Sequence, residues 1–127
     1  MATPSNIQYP YPSTLNIGNF VSLKLTQNNY LMWKTQINGL TESQDMGGFL
    51  DRSYLKLKEF ISKNTAGNDD SAAREFDINL EYILWRRSDR LIRGWIIGTL
   101  SDELFELAIG LETSSEVCTS LADYCAV

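Results

Sequence analysis

The chain has 127 residues, 43% hydrophobic and 21% charged, a balance that fits one compact folded domain and excludes a wholly disordered chain. A net charge of −5 argues against a segment that coats nucleic acid on its own, because phosphate binding needs a positive footprint, though a local basic stripe is still compatible. The absence of histidine removes the commonest general base and the commonest metal ligand together.

Residues 1–18 hold all three prolines, Pro4, Pro10 and Pro12, and little apolar periodicity, so they read as a flexible extended arm ahead of a domain over residues 19–127. The opening Met1-Ala2-Thr3-Pro4-Ser5-Asn6 lacks the basic and apolar regions of a secretion signal, and there is no glycine placed for myristoylation. The longest apolar run, residues 94–100, is far shorter than the ~20 residues of a membrane span. An intracellular, cytoplasmic protein without a membrane partner is the expectation.

In Phe20-Val21-Ser22-Leu23-Lys24-Leu25, Val21, Leu23 and Leu25 alternate with polar neighbours, as in a short extended segment lying across a helical body. Asn28 or Asn29 is placed to cap a helix beginning at Tyr30, with Tyr30, Trp33, Ile37 and Leu40 at three- and four-residue steps and an end near residues 42–44. Met46-Gly47-Gly48-Phe49-Leu50 then reads as an apolar turn whose paired glycines change the chain's direction. Residues 54–61 fit either a short helix or irregular chain. Residues 63–73 are small, polar and aperiodic, and read as a loop inside the domain.

Over residues 74–98 the spacing predicts one long helix, with Phe76, Leu80, Ile83, Leu84, Leu91, Trp95 and Ile96 along a broad apolar stripe. Gly98 and Thr99 end it, and Ser101 is placed to cap a short helix with Asp102 and Glu103 in its first turn and Leu104, Leu107 and Ala108 inward. Gly110 closes that helix. Thr113-Ser114-Ser115-Glu116 matches a capping box opening a last helix over residues 114–124, with Val117, Leu121 and Tyr124 inward.

Catalytic constellations are absent from this pattern. Asp102, Glu103, Glu106 and Glu112 read as solvated helix faces, and Gly47-Gly48 lacks the lysine and spacing of a phosphate loop. Cys118 and Cys125 lie seven apart, too far along one helix for a disulfide, and without histidine or a third cysteine they cannot build a zinc site. No enzyme activity, metal or cofactor is expected. Trp33, Trp85 and Trp95 are read as core, along with Tyr30, Ile37 and Leu84, rather than as exposed hot spots. Arg86, Arg90 and Arg93 share a helix face with Arg87 beside it. The plain reading is a solvated face with Asp89 as local partner; the sharper one is an interface for acidic protein or RNA, since guanidinium pairs bidentately with carboxylate or phosphate.

The order of several motifs resembles a known family. Leu23-Lys24-Leu25, Asn29-Tyr30-Leu31-Met32-Trp33-Lys34, Gly48-Phe49-Leu50-Asp51, Trp85-Arg86-Arg87-Ser88-Asp89, Trp95-Ile96-Ile97-Gly98-Thr99-Leu100-Ser101 and Gly110-Leu111-Glu112-Thr113-Ser114 together look like the N-terminal part of the Gag polyprotein of plant copia-type LTR retrotransposons, over about residues 15–125. The resemblance implies a small, mostly α-helical capsid-type domain framed by the two Trp helices. It also implies self-association with other Gag chains into a virus-like particle, with RNA a possible further partner. Cys118 stands where the family commonly has an aromatic. The early stop at Val127 leaves two expectations open, an excised domain or a truncated or host-retained relative acting as a protein-interaction adaptor or assembly inhibitor.

Overall fold

A computed structural model describes residues 9–62 and 76–125. The fold is mostly α: helices α1 (Tyr30–Ser43), α2 (Gly48–Asp51), α3 (Leu80–Gly98), α4 (Asp102–Phe105) and α5 (Ser114–Cys125), with a ribbon of β1 (Phe60–Ser62) and β2 (Phe76–Ile78) between α2 and α3. The loop expected at residues 63–73 lies outside the described residues.

Helix α1 buries Trp33, Ile37, Leu40 and Thr41, the positions one turn apart on its inner face. Asn29 occupies the N-cap position but its side chain makes no capping bond. Instead its Nδ2–H donates to the Lys24 carbonyl at 2.9 Å and its Oδ1 accepts from the Thr26 N–H at 2.7 Å, pinning the approach to the helix. At the other end Asp45 takes a positive φ of 58°. The Met46 N–H then reaches the Thr41 carbonyl at 2.7 Å and the Asp45 N–H the Glu42 carbonyl at 3.1 Å, the paired bonds of a Schellman stop. Asp45, not the following glycines, therefore reverses the chain. What Gly48 supplies is room: a Cβ there would stand 2.8 Å from Cδ2 of Tyr54.

Residues 54–59 are irregular and lead into β1, which pairs antiparallel with β2 in the register Phe60↔Ile78, Ile61↔Asp77, Ser62↔Phe76. The helix expected from residue 74 begins at Leu80, with Phe76 in a strand. Asn79 enforces that boundary: its Oδ1 accepts from the Glu81 N–H at 3.2 Å, its Nδ2–H donates to the Lys58 carbonyl at 2.8 Å, and its N–H to the Glu59 carbonyl at 2.8 Å.

The buried stripe of α3 also differs in phase from the expected one. It consists of Tyr82, Trp85, Ser88, Asp89, Ile92, Trp95 and Ile96, while Leu80 is 72% exposed and Ile83, Leu84 and Leu91 are half-buried. Two polar residues, Ser88 and Asp89, sit inside because each has a partner there, described below.

Leu25 and Leu100 form an isolated parallel bridge that fastens the segment before α1 to the end of α3. The Leu25 N–H donates to the Thr99 carbonyl at 2.7 Å and the Ser101 N–H to the Leu25 carbonyl at 3.1 Å. Helix α4 continues as a 3-10 turn, Glu106–Ala108, and buries Leu104 and Ala108. Ser101 holds its N-cap position without a side-chain cap, and its Oγ is buried with no partner among the described residues. Gly110 follows at φ +88°, a conformation suited to glycine.

The capping box forms as expected. The Glu116 N–H donates to Thr113 Oγ1 at 3.1 Å, while Glu116 Oε1 accepts from the Thr113 N–H at 3.2 Å and the Glu112 N–H at 2.9 Å. Helix α5 buries Val117, Cys118, Leu121 and Cys125. Tyr124, expected inward, is 45% exposed, because the inner row continues in four-residue steps from Val117 to Leu121 to Cys125.

Of the arm expected over residues 1–18, residues 1–8 lie outside the described residues. Tyr9 packs on Phe49 and Tyr54 at centroid distances of 5.8 and 5.4 Å, and the Ser88 hydroxyl donates to the Pro10 carbonyl at 2.7 Å.

Candidate interaction surfaces

The Trp residues form the frame. Trp33 is fully buried and its Nε1–H donates to Thr99 Oγ1 at 2.8 Å; Trp85 is buried and donates to the Tyr54 carbonyl at 3.0 Å; Trp95 is buried. Ile37 is buried with them, whereas Tyr30 is half-buried against the core, 6.1 Å from the Trp33 ring. Leu84, read from the sequence as core, is half-buried and stands outside the buried cluster.

The four arginines separate into two pairs. Arg90 and Arg93 are half-buried ties: Arg90 donates from Nη1 to Asp89 Oδ2 at 3.2 Å, and Arg93 donates from Nε to the Leu111 carbonyl at 2.9 Å. Arg86 and Arg87 are exposed, with guanidinium carbons 5.6 Å from the Tyr82 ring centroid and 4.1 Å from that of Tyr11. Both distances fall within the range of cation–π contact. A guanidinium held over a ring in this way can still pair through its N–H groups with a carboxylate or phosphate.

Asp89 is not a solvated partner of this face. At 1% exposure it points into the body, where Oδ1 accepts from the Ser114 hydroxyl at 2.6 Å and the Ser114 N–H at 3.2 Å. A carboxylate on α3 thus sits at the N-terminus of α5, where the free backbone donors and the helix dipole favour negative charge. Burial pushes its pKa above the ordinary aspartate value, and the bonds from Ser114 and Arg90 draw it back part of the way. Sequence reasoning missed this pair. The available signal was that position 89 stands in phase with Tyr82, Trp85, Ile92 and Ile96, so a polar residue there needed a buried partner.

A second exposed region is apolar. Leu31 and Met32, in the first turn of α1, are 78% and 61% exposed. Together with Tyr30, Asn28, Ala122 and Cys125 they line a cleft of about 570 Å³ between the start of α1 and the end of α5. Around α4, Phe105 and Ile109 are 45% and 64% exposed, close in sequence to exposed Asp102, Glu103 and Glu106.

Among the described residues no three His, Cys, Asp or Glu side chains cluster as metal ligands, and no helix is long and apolar enough to cross a membrane. Cys118 and Cys125 are free and buried. Burial raises the Cys118 pKa, which disfavours the reactive thiolate.

Comparison with known proteins gives two relatives. Over 109 residues, 86% of the chain, the sequence is 31% identical to a retrovirus-related Pol polyprotein from transposon RE1 of Arabidopsis thaliana. Over 107 residues, 84% of the chain, it is 32% identical to the retrovirus-related Pol polyprotein from transposon RE2 of the same plant. The chain spans only 7% of the length of each. No family model matches the sequence, and no solved structure matches it. The similarity supports a retrotransposon origin.

Proposed function

We propose that this chain is a Gag-like, capsid-type segment of a copia-type retrotransposon polyprotein, acting by self-association in the assembly of a particle rather than by catalysis. The observation that carries this reading is the similarity along 86% of the chain to a short stretch of a retrovirus-related polyprotein. The helical frame supports it by presenting exposed apolar side chains at separate places, Leu31 and Met32 on α1 and Phe105 and Ile109 around α4. Exposed apolar groups grouped with polar ones suit protein–protein contact.

Light scattering over a concentration series, with electron microscopy of the same samples, tests the reading. Species larger than the monomer that grow with concentration are expected. A monomer at every concentration would overturn assembly and favour an adaptor that binds another protein. RNA is a secondary partner in this reading, through Arg86 and Arg87. Filter binding should then show retention at low salt and steep loss at high salt, because phosphate contacts release counterions.

A further inference from the structure

The charge of this chain is segregated along its length. All 11 Lys and Arg residues lie at or before Arg93, balanced there by ten acidic residues, whereas six acidic residues and no basic one follow. In the fold, the first three of these acidic residues, Asp102, Glu103 and Glu106, belong to one two-sided element. Leu104 and Ala108 anchor α4 and its 3-10 turn inward, while Asp102, Glu103 and Glu106 face solvent around exposed Phe105 and Ile109. It is an acidic surface with two apolar anchors four residues apart.

The complementary surface lies toward the other end of α3. Arg86 and Arg87 precede the helix end by about 17 Å of rise, and α4 starts beyond that end. The ion pairs between described residues, Lys56–Glu112 and Arg90–Asp89, do not join the two surfaces. One molecule therefore carries two exposed patches of opposite sign that are not paired with each other by these ion pairs.

We propose that the acidic–apolar surface of one copy, centred on Glu103, Phe105 and Glu106, docks on the Arg86–Arg87 face of a second copy. The proposal rests on the self-association reading above and names the surfaces that meet. Because the two patches differ, the contact is head-to-tail, so each added copy leaves one patch of each sign for the next. Exposed ion pairs of this kind are individually weak and screened by salt, so association should build with concentration and loosen as ionic strength rises.

Sedimentation velocity of two charge-reversed variants tests this. One is Arg86→Glu with Arg87→Glu; the other is Asp102→Lys with Glu103→Lys and Glu106→Lys. All five side chains are exposed, and thermal melts by circular dichroism check that each variant folds. A variant that does not fold is replaced by Arg86→Glu or Glu103→Lys alone. The wild type should associate at low salt and weaken at high salt, and each variant alone should associate roughly tenfold or more weakly. An equimolar mixture should recover association, because the reversed faces complement each other. Variants that associate as the wild type does, or a mixture that recovers nothing, would overturn these surfaces while leaving self-association standing. A wild type that stays monomeric throughout would overturn both.

Discussion

The indole N–H of Trp33 on α1 donates to the hydroxyl of Thr99 at the end of α3 across 2.8 Å, with both residues buried. Thr99 Oγ1 in turn donates to the Ile96 carbonyl at 2.8 Å, so one hydroxyl satisfies the indole and closes the helix. Trp33→Ala should cost about 3–5 kcal/mol, since the ring is fully buried. Thr99→Val keeps the volume but strands the indole N–H, for an expected loss of about 1–3 kcal/mol. Urea denaturation of both single variants and the double variant checks this: the double should lose clearly less than the sum. Strict additivity would mean that the hydrogen bond contributes nothing beyond packing.

The capping box of α5 gives a prediction with a pH sign. Backbone bonds from Glu112 and Thr113 hold the Glu116 carboxyl below its ordinary value. A depressed carboxylate contributes stability that is present above its unfolded pKa and lost as pH falls through the folded one. Glu116→Ala should cost about 0.3–1.5 kcal/mol at neutral pH, the range for a single helix-end feature. Thermal melts should show the gap between wild type and variant closing on acidification below pH ~4.

The neighbouring glycines should differ sharply. A methyl at Gly48 would press on the Tyr54 ring, at 2.8 Å from Cδ2 and 2.9 Å from Cγ, whereas one at Gly47 would meet Glu42 Cγ at an ordinary 3.8 Å. Gly48→Ala should therefore destabilise by about 1–3 kcal/mol, as overpacking does. Gly47→Ala should be near neutral, since Gly47 has helical φ and ψ of −61° and −23°. Equal effects in chemical denaturation would count against the close approach of Tyr54.

What the sequence reveals follows the range of each interaction. The Thr113–Glu116 box is legible because all its partners lie within five residues, and the Trp33, Ile37 and Leu40 spacing is legible because one helix face carries it. The ribbon is not, since its strands are three residues each and are separated by residues 63–75, too short for a period to emerge. The phase of α3 is misread for a different reason: Ser88 and Asp89 look like surface residues until Pro10 and Ser114 supply their partners. Asn29 and Ser101 stand where caps were expected, yet neither side chain caps, because a position does not determine which bond forms. For the candidate surfaces, the four arginines on one helix are visible in the sequence. Their division is not, because it depends on Tyr11, far earlier in the chain, and on the Leu111 carbonyl, well after it.

The Asp89–Ser114 pair makes the last prediction, opposite in sign to that of Glu116. Asp89→Ala strands the buried N–H and hydroxyl of Ser114 and should cost about 2–4 kcal/mol. Asp89→Asn keeps the size and one acceptor but cannot ionise, so it isolates the charge. Burial is the largest influence on Asp89 and raises its pKa. A carboxyl raised in the folded state binds its proton more tightly there than in the unfolded chain, so its contribution is full below the unfolded pKa and is lost as pH rises through the folded one. The stability of wild type relative to Asp89→Asn should thus increase on acidification, in a window that begins above the ordinary aspartate pKa of ~3.9. Comparing the two proteins cancels Asp51 and Glu116, whose lowered pKa values act in the opposite direction. Guanidinium denaturation across that window checks the sign. A relative stability that instead grows with rising pH would mean that Ser114 and Arg90 outweigh burial at this carboxylate, and that the α3–α5 junction depends on its charge.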